Sequence, residues 1–480
     1  MSNILCFGPN NAMPMMNRIK QIHFVGIGGV GMGGIAEILV HEGYCITGSD
    51  IMHNSITRRL FRLGVTIYIG HKYSNINNAN VVVISSAIYP NNPEILAAQQ
   101  ARIPIIQRAE MLSELMRFKY GIAISGTHGK TTTTTMIASI YIAAGLDPTF
   151  INGGIIKSEN AHARIGYGRY LIVEADESDN SFLHLHPMVE VITNIDTDHI
   201  HQYQGNFKYL KQAFINFVHN LPFYGYAIVC LDDPVICEIL PKINRKTITY
   251  GFHKNADLHI FNYHQNIDKS NFTILRSNQT KLQVTLNAPG YHNALNATAA
   301  IAVATEEGIS DRIILKTMLD FQGTHRRFEN LGHYSLNKIN GQTGKILLID
   351  DYGHHPAELH ATIATIRTGW PDRRLIMVFQ PHRYTRIKEL YHEFVGILSN
   401  VDILLILNVY SAGEPPILGV NSQSLCRAIR AYGKVNPIFI PNTQTLSSAL
   451  VQFLRNNDLL LIQGAGTVGE VVRRLIVKHD

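Results

Sequence analysis

Between Tyr120 and Ala144 an apolar run, a glycine turn and a helical repeat follow one another, and that order leaves few folds open. The run Tyr120 to Ile124 reads as a short buried strand that stops at Gly126. Gly126-Thr127-His128-Gly129-Lys130-Thr131-Thr132 comes next, and then Met136, Ile137, Ile140, Tyr141 and Ala144 recur at helical spacing. A glycine turn between a strand and a helix aims backbone N–H groups and the positive end of the helix dipole at one point, where a triphosphate can be held. Lys130 adds a cation, and the Thr131 hydroxyl can ligate Mg²⁺. The full phosphate-loop pattern has a glycine where this chain has Ile124, so the loop is a shortened variant. A glycine turn capped by threonines is the competing reading.

A chain of 480 residues is long for one core and predicts two to three domains. Its 42 basic and 36 acidic residues leave a net charge of +6, scattered too thinly to predict nucleic acid as a partner but suited to anionic small substrates. The five cysteines, Cys6, Cys45, Cys230, Cys237 and Cys426, are far apart and form neither a disulfide framework nor a zinc pattern. With no signal-peptide layout and no apolar run of membrane-spanning length, the expectation is a cytoplasmic protein without membrane insertion.

A second glycine loop lies near the start. Gln21 to Val25 reads as a strand, followed by glycines at 26, 28, 29 and 31 and a helix through Ile35, Ile38 and Leu39. Gly26, Gly28 and Gly31 match G-x-G-x-x-G, and Asp50 closes the next strand where a ribose-binding acid is expected, so the literal reading is NAD. The same pattern recurs at Gly464, Gly466 and Gly469, which weakens it to a Rossmann-like unit whose helix accepts some pyrophosphate. The strand Val81 to Ile84 leads into Ser85-Ser86-Ala87, either a further part of that site or a plain turn, and the unit closes near Phe118.

Downstream of the phosphate loop, Tyr170 to Val173 runs into Glu174-Ala175-Asp176-Glu177-Ser178-Asp179. These acids are either a solvated loop or Mg²⁺ ligands at a strand end, and Glu174, directly after the strand, is the best placed. Val189 to Thr193 leads to Asn194-Ile195-Asp196-Thr197-Asp198-His199, where His199 is read as a metal or phosphate contact against the alternative of a backbone-bonded loop histidine. Asn293 and Asn296 share a face near the start of an Ala-rich helix, with hydrogen-bonding duty or helix capping as the two readings. From Lys345 strands and helices alternate, which argues for an open, largely parallel sheet covered on both faces. Two of its strand ends carry chemistry, Asp350-Asp351-Tyr352-Gly353-His354-His355 and Gln380-Pro381-His382-Arg383-Tyr384-Thr385-Arg386. Arg383 and Arg386 sit at helical spacing around a helix start and can grip a carboxylate, with surface salt bridging as the alternative.

The ordered set GTHGKTT, EADESD, TNIDTDH, YHNALNA, GTHRRFE, DDYGHHP and FQPHRYTR closely resembles the Mur ligases of peptidoglycan synthesis. The resemblance runs from the first glycine loop to the C-terminal helix. It implies an α/β protein of three domains: residues 1–118, Rossmann-like, for a UDP-sugar; residues 119–325, a central P-loop ATPase with a mainly parallel sheet; and residues 326–480, Rossmann-like, for an amino acid. It replaces NAD by UDP at Gly26, Gly28, Gly29, Gly31, Asp50, Ser85, Ser86 and Ala87.

By the same resemblance ATP lies on Gly126 to Thr132, with Lys130 on its β and γ phosphates, Thr131 and Glu174 on Mg²⁺ and His199 on a second Mg²⁺. Asn293 and Asn296 lie near adenine, Arg327 on the γ phosphate and Asp351 on the ribose. Tyr352, His354, His382, Arg383 and Arg386 surround the incoming amino acid and the muramyl group. The carbamylated lysine that several Mur ligases use has no match here. The implied reaction joins L-alanine to UDP-N-acetylmuramate at the expense of ATP, and a homodimer is compatible with the family. The competing activities are tripeptide ligation to the same sugar nucleotide, a P-loop sugar kinase, and a nucleotide-binding protein without turnover.

Overall fold

The computed structural model describes residues 16, 18–85, 87–117, 119–159, 161–178, 180–198, 200–336 and 343–470. Ser86 and His199, both expected site residues, and the C-terminal helix expected at the chain's end lie outside that set. The chain divides into two compact units. One comprises Met1–Phe261, Ile274–Leu282 and Leu295–Met318, and the other Asn262–Thr273, Gln283–Ala294 and Leu319–Asp480.

The first unit opens with five strands: β1 (Gln21–Val25), β2 (Cys45–Asp50), β3 (Thr66–Ile69), β4 (Val81–Ile84) and β5 (Ile105–Gln107). They form a parallel sheet in the order β3-β2-β1-β4-β5. The order reverses at β1, so the loops after β1 and β4 open on one crevice, where doubly wound sheets hold their ligands. Helix Val30–His41 packs closely because its glycines leave room. A Cβ on Gly34 would lie 3.1 Å from Ala163, and one on Gly33 would collide with Ile56.

A larger sheet follows, built from β6 (Tyr120–Ser125), β7 (Thr149–Ile156), β8 (Ala161–Arg164), β9 (Tyr170–Glu174), β10 (Val189–Ile192), β11 (Tyr226–Cys230) and β12 (Lys246–Gly251). These seven belong to a ten-stranded sheet, in which they follow the order β12-β11-β10-β6-β9-β7-β8, parallel except for β8. β10 and β11 are buried along their whole length, as strands covered on both faces are, with Glu190 the one charged residue among them. β6 lies between β9 and β10, which makes its C-terminal end the reversal point of this sheet too. The stretch β13 (Leu258–Asn266), β14 (Lys269–Arg276) and β15 (Lys281–Leu286) contains the changeover between the units.

The second unit is organised on β16 (Glu329–Ser335), β17 (Lys345–Asp351), β18 (Leu375–Phe379), β19 (Ile403–Leu407), β20 (Ile438–Ile440) and β21 (Leu459–Gln463), in the order β16-β17-β21-β18-β19-β20. Only β16 is antiparallel. Alternation along β17 feeds two cores, Leu347 and Ile349 into one and Ile346 and Leu348 into the other. Helix Pro356–Gly369 has Pro356 at its first turn and His355 as its cap, and buries Leu359, Ile363 and Ile366 in the first of these cores. Truncating Leu359 to Ala is expected to cost about 2–5 kcal/mol.

The cysteines depart from the expectation in one respect. Cys230, Cys237 and Cys426 are free thiols, whereas Cys45 is disulfide-bonded. A single bridge leaves no spacing signal of the kind that identifies a framework.

Candidate active site

In the larger sheet the loop after β6 is tied down by the segment after β10. Gly126 has φ +114°, and a Cβ there would meet Thr193 and Asn194, so only glycine fits both the turn and the space. The Thr193 hydroxyl donates to the His128 carbonyl at 2.6 Å, and the Asn194 side chain accepts the His128 N–H at 2.8 Å. Asp196 donates its N–H to Thr127 Oγ1 at 2.8 Å, and its carboxylate meets His128 Nε2 at 3.2 Å. Thr193, Asn194 and Asp196 thus act as the mould of the phosphate loop. Gly129, at φ +87°, caps helix Lys130–Ala143, and Lys130, Thr131 and Thr132 form its first turn.

Gly129 also lies against Asn296, whose Oδ1 would be 2.5 Å from an added Cβ. Asn296 therefore shares the loop's surroundings. Asn293, in the first turn of its helix, donates its side-chain amide to the Pro289 carbonyl at 2.7 Å.

Glu174 ends β9 beside Thr131. The Thr131 hydroxyl lies 3.1 Å from each carboxylate oxygen, and the Gly153 N–H donates to Oε2 at 2.8 Å. A hydroxyl and a carboxylate converging beside a phosphate loop are the hard oxygen donors that Mg²⁺ takes, so these residues fit that ion.

Lys130 has a partner that the motif reading did not single out. Its Nζ donates to both oxygens of Glu177, at 2.9 and 2.8 Å, and to the Gly126 carbonyl at 2.6 Å. Burial opposes the lysine's charge, but Glu177, Asp176 and Glu174 outweigh it and raise the pKa. Burial pushes the Glu177 carboxyl up to about 7 against the pull of Lys130. The acidic run announced a cluster, but only the fold could say which acid faces the lysine.

In the first sheet, Gly26 and Ile27 donate their N–H groups to the Ser49 carbonyl, and Gly28 donates to Asp50 Oδ2 at 2.8 Å. Asp50 Oδ1 accepts the Ile51 N–H. Asp50 therefore closes the glycine loop from behind, which is a different duty from the ribose contact of a dinucleotide fold. Asn54 closes it from the other side through the Gly28 carbonyl. Ser85 lies 3.6 Å from the Cβ position of Gly26, and its hydroxyl accepts the Ala87 N–H, so this turn sits beside the start of the glycine loop.

Arg108 is the residue that motif reading missed here. Its Nη1 lies 2.9 Å from the Cβ position of Gly31, and its charge helps to lower the Asp176 pKa. A cation on the first residue of helix Arg108–Met116 opposes that helix's dipole, an arrangement that an incoming anion would offset.

The second unit assembles a chain of four rings. Tyr352 meets His354 edge-on at 5.6 Å, His354 meets His382 at 5.2 Å, and His382 stacks on Tyr410 at 5.5 Å. Arg327 lies over the Tyr352 ring at 5.0 Å and 3.7 Å from Glu358. Arg386 is buried and bonds to His382, while Arg383 has φ +67° and donates its N–H to the Tyr410 carbonyl. The pair expected to grip a carboxylate together is thus divided, with Arg386 committed inside the protein.

Asp351 departs further from expectation. Its Oδ2 accepts the Phe328 N–H, and its Oδ1 accepts from Gly353 N–H and Gln463, each at 2.8 Å. Both oxygens are engaged and the residue is 7% exposed, so the carboxylate joins the ends of β17 and β21 to the Phe328 turn. Burial raises its pKa against these bonds.

Parallel sheets bearing glycine loops at their strand ends, one of them holding a lysine, a threonine hydroxyl and a carboxylate together, define a multidomain P-loop enzyme. Models of the Mur ligase family match in chain order: the catalytic domain at residues 21–120, the middle domain at 124–304 and the glutamate ligase domain at 335–466. The chain belongs to the Mur ligase family.

It is 62% identical over 473 residues to the UDP-N-acetylmuramate–L-alanine ligase of Blochmanniella floridana, covering 98% of each chain. Among solved structures it resembles the UDP-N-acetylmuramate-alanine ligase MurC of Thermotoga maritima, with a TM-score of 0.79 and 27% identity over 96% of this chain and 99% of that one. A murein peptide ligase from Psychrobacter arcticus, at 23% identity and a TM-score of 0.70 over 96% and 98% of the two chains, shares the fold. Among the described residues no helix is long and apolar enough to cross a membrane.

Proposed function

We propose that this Mur ligase joins L-alanine to the lactyl carboxylate of UDP-N-acetylmuramate, cleaving ATP to ADP and phosphate, as a step of peptidoglycan precursor synthesis. The observation that carries the reading is the meeting of Lys130, Thr131 and Glu174 at the ends of β6 and β9, in a chain 62% identical to a ligase of that name. A carboxylate is a poor electrophile. Its oxygen attacks the γ phosphorus, the bond to ADP breaks, and an acyl phosphate results. The neutral amine of alanine then attacks the acyl carbon, the C–O bond to phosphate breaks, and the amide forms.

Lys130 neutralises charge on the transferring phosphoryl group, and Arg327 is assigned to the same task. Thr131 and Glu174 would hold Mg²⁺, with His199 on a second ion. The bound ion would supply Lewis-acid charge stabilisation. The main-chain amides of Gly129 and Lys130, at the start of helix Lys130–Ala143, orient the phosphates. Division of labour follows the three segments 1–118, 119–325 and 326–480, with the sugar nucleotide on the Gly26 to Gly31 loop and alanine beside His354, His382 and Arg383. A cytoplasmic location and a homodimer belong to the same proposal.

The test is phosphate release with ATP, Mg²⁺ and UDP-N-acetylmuramate, with and without L-alanine. Alanine-dependent release with amide formation is expected. Release that requires the tripeptide instead of alanine would assign the chain to peptide recycling. Tight NAD binding by calorimetry without any release would return the first domain to the dinucleotide reading.

A further inference from the structure

The lysine that the proposed reaction needs on the nucleotide is engaged by protein groups around the loop. An ammonium has three donors, and those of Lys130 point at the Gly126 carbonyl, the Thr127 carbonyl and the Glu177 carboxylate. Phosphate can be gripped only if one of these is given up. The two carbonyls are part of the loop that cradles the phosphates, so Glu177 is the partner that can be exchanged.

Its neighbours in the acidic run are otherwise engaged. Glu174 faces Thr131 and Gly153, and Asp176 accepts the Ser178 N–H at 3.0 Å. Glu177 is 2% exposed, and its backbone is anchored by the Tyr203 hydroxyl, which donates to the Glu177 carbonyl at 2.6 Å. The carboxylate is therefore held in place instead of swinging into solvent.

We propose that Glu177 is the exchange partner of Lys130: it neutralises the lysine in the empty loop, yields it to the phosphates when nucleotide enters, and reclaims it as ADP leaves. The inference rests on the ATP site proposed above and adds to it a residue that sets nucleotide affinity and release. Two consequences follow from charge alone. A carboxylate held beside the phosphates repels them, and a buried lysine without its carboxylate makes the empty loop costly. Removing the Glu177 charge therefore destabilises the free protein and tightens nucleotide binding together.

The experiment measures ADP binding by calorimetry in the presence of Mg²⁺, with thermal melting of the free and ADP-bound full-length protein. Glu177→Gln is expected to bind ADP about tenfold more tightly, which is about 1.4 kcal/mol. Its free form should melt lower while its ADP complex melts near the wild-type complex. The Michaelis constant for ATP should fall, and kcat should fall with it as ADP leaves more slowly. Glu177→Asp, which keeps the charge on a shorter arm, should give an intermediate ADP affinity.

A folded Glu177→Gln that binds ADP as the wild type does, or less tightly, overturns the proposal. If that variant does not fold, Glu177→Asp decides alone: tighter ADP binding supports the exchange, and equal or weaker binding overturns it. A wild-type protein that binds no ADP would instead remove the nucleotide-site reading itself.

Discussion

Arg386 Nη1 lies 3.1 Å from His382 Nδ1. A guanidinium can only donate, so Nδ1 is the acceptor and the ring carries its proton on Nε2. With Arg386 4% exposed and the ring stacked on Tyr410, His382 is held in one orientation and one tautomer at the end of β18. Arg386 is thus a positioning residue. Arg383 differs, since among the described residues its buried Nε has no hydrogen-bond partner, and it is the arginine left to receive a carboxylate.

From this asymmetry Arg383→Ala should raise the Michaelis constant for alanine by about tenfold to a hundredfold, the loss of one charged hydrogen-bonding partner. The constants for ATP and the sugar nucleotide should stay near wild type. Arg386→Ala should act through His382 and shift the pH profile of alanine use as well as its Michaelis constant. If both variants kept the wild-type alanine constant and lost ATP affinity, the arginines would belong to the nucleotide site.

Lys130→Ala tests the phosphate loop. Removing the lysine leaves the buried Glu177 carboxylate without its cation, so the variant should melt lower than the wild type, and where it is folded it should lose about a hundredfold to a thousandfold or more in turnover. Glu174→Ala should be similarly impaired, with partial recovery at raised Mg²⁺. Near-normal ligation by Lys130→Ala would end the assignment.

Arg108→Ala probes the first glycine loop. If its guanidinium neutralises the pyrophosphate beside Gly31, the Michaelis constant for the sugar nucleotide should rise about tenfold, with a shallower dependence on salt than in the wild type. An unchanged constant at low ionic strength would make Arg108 a surface residue of the helix start.

Glu94 predicts acid sensitivity. It is fully buried, which by itself would raise its pKa, but the His23 imidazole 3.7 Å away and hydrogen bonds from Ser49 and Asn75 lower it from 4.5 to about 2. A depressed folded pKa means that its stabilisation is present above the unfolded value and is lost as pH falls from 4.5 towards 2. At 1.36 kcal/mol per unit the loss is about 3 kcal/mol. Denaturant unfolding between those pH values should show this decline in the wild type and a flatter profile in Glu94→Gln. Parallel profiles would show that Glu94 does not couple the fold to pH.

The sequence by itself determined the local elements and the chemistry at strand ends. Period and glycine placement are properties of neighbouring residues, so the strand at Tyr120, the helix from Lys130 and the carboxylate after β9 were legible without a partner. Partner choice was not. Glu174 and Glu177 lie three apart in one acidic run, yet one faces Thr131 and the other Lys130, because β9 and β6 pair in a register that only the sheet supplies. Asp351 read as a ligand for ribose and is instead bonded by Phe328, Gly353 and Gln463, the last of them 112 positions along the chain. Arg383 and Arg386 looked interchangeable at helical spacing, and burial separated them. A hydrogen bond is decided by a few tenths of an ångström between groups that the chain brings together from far apart, and tertiary packing alone sets that distance.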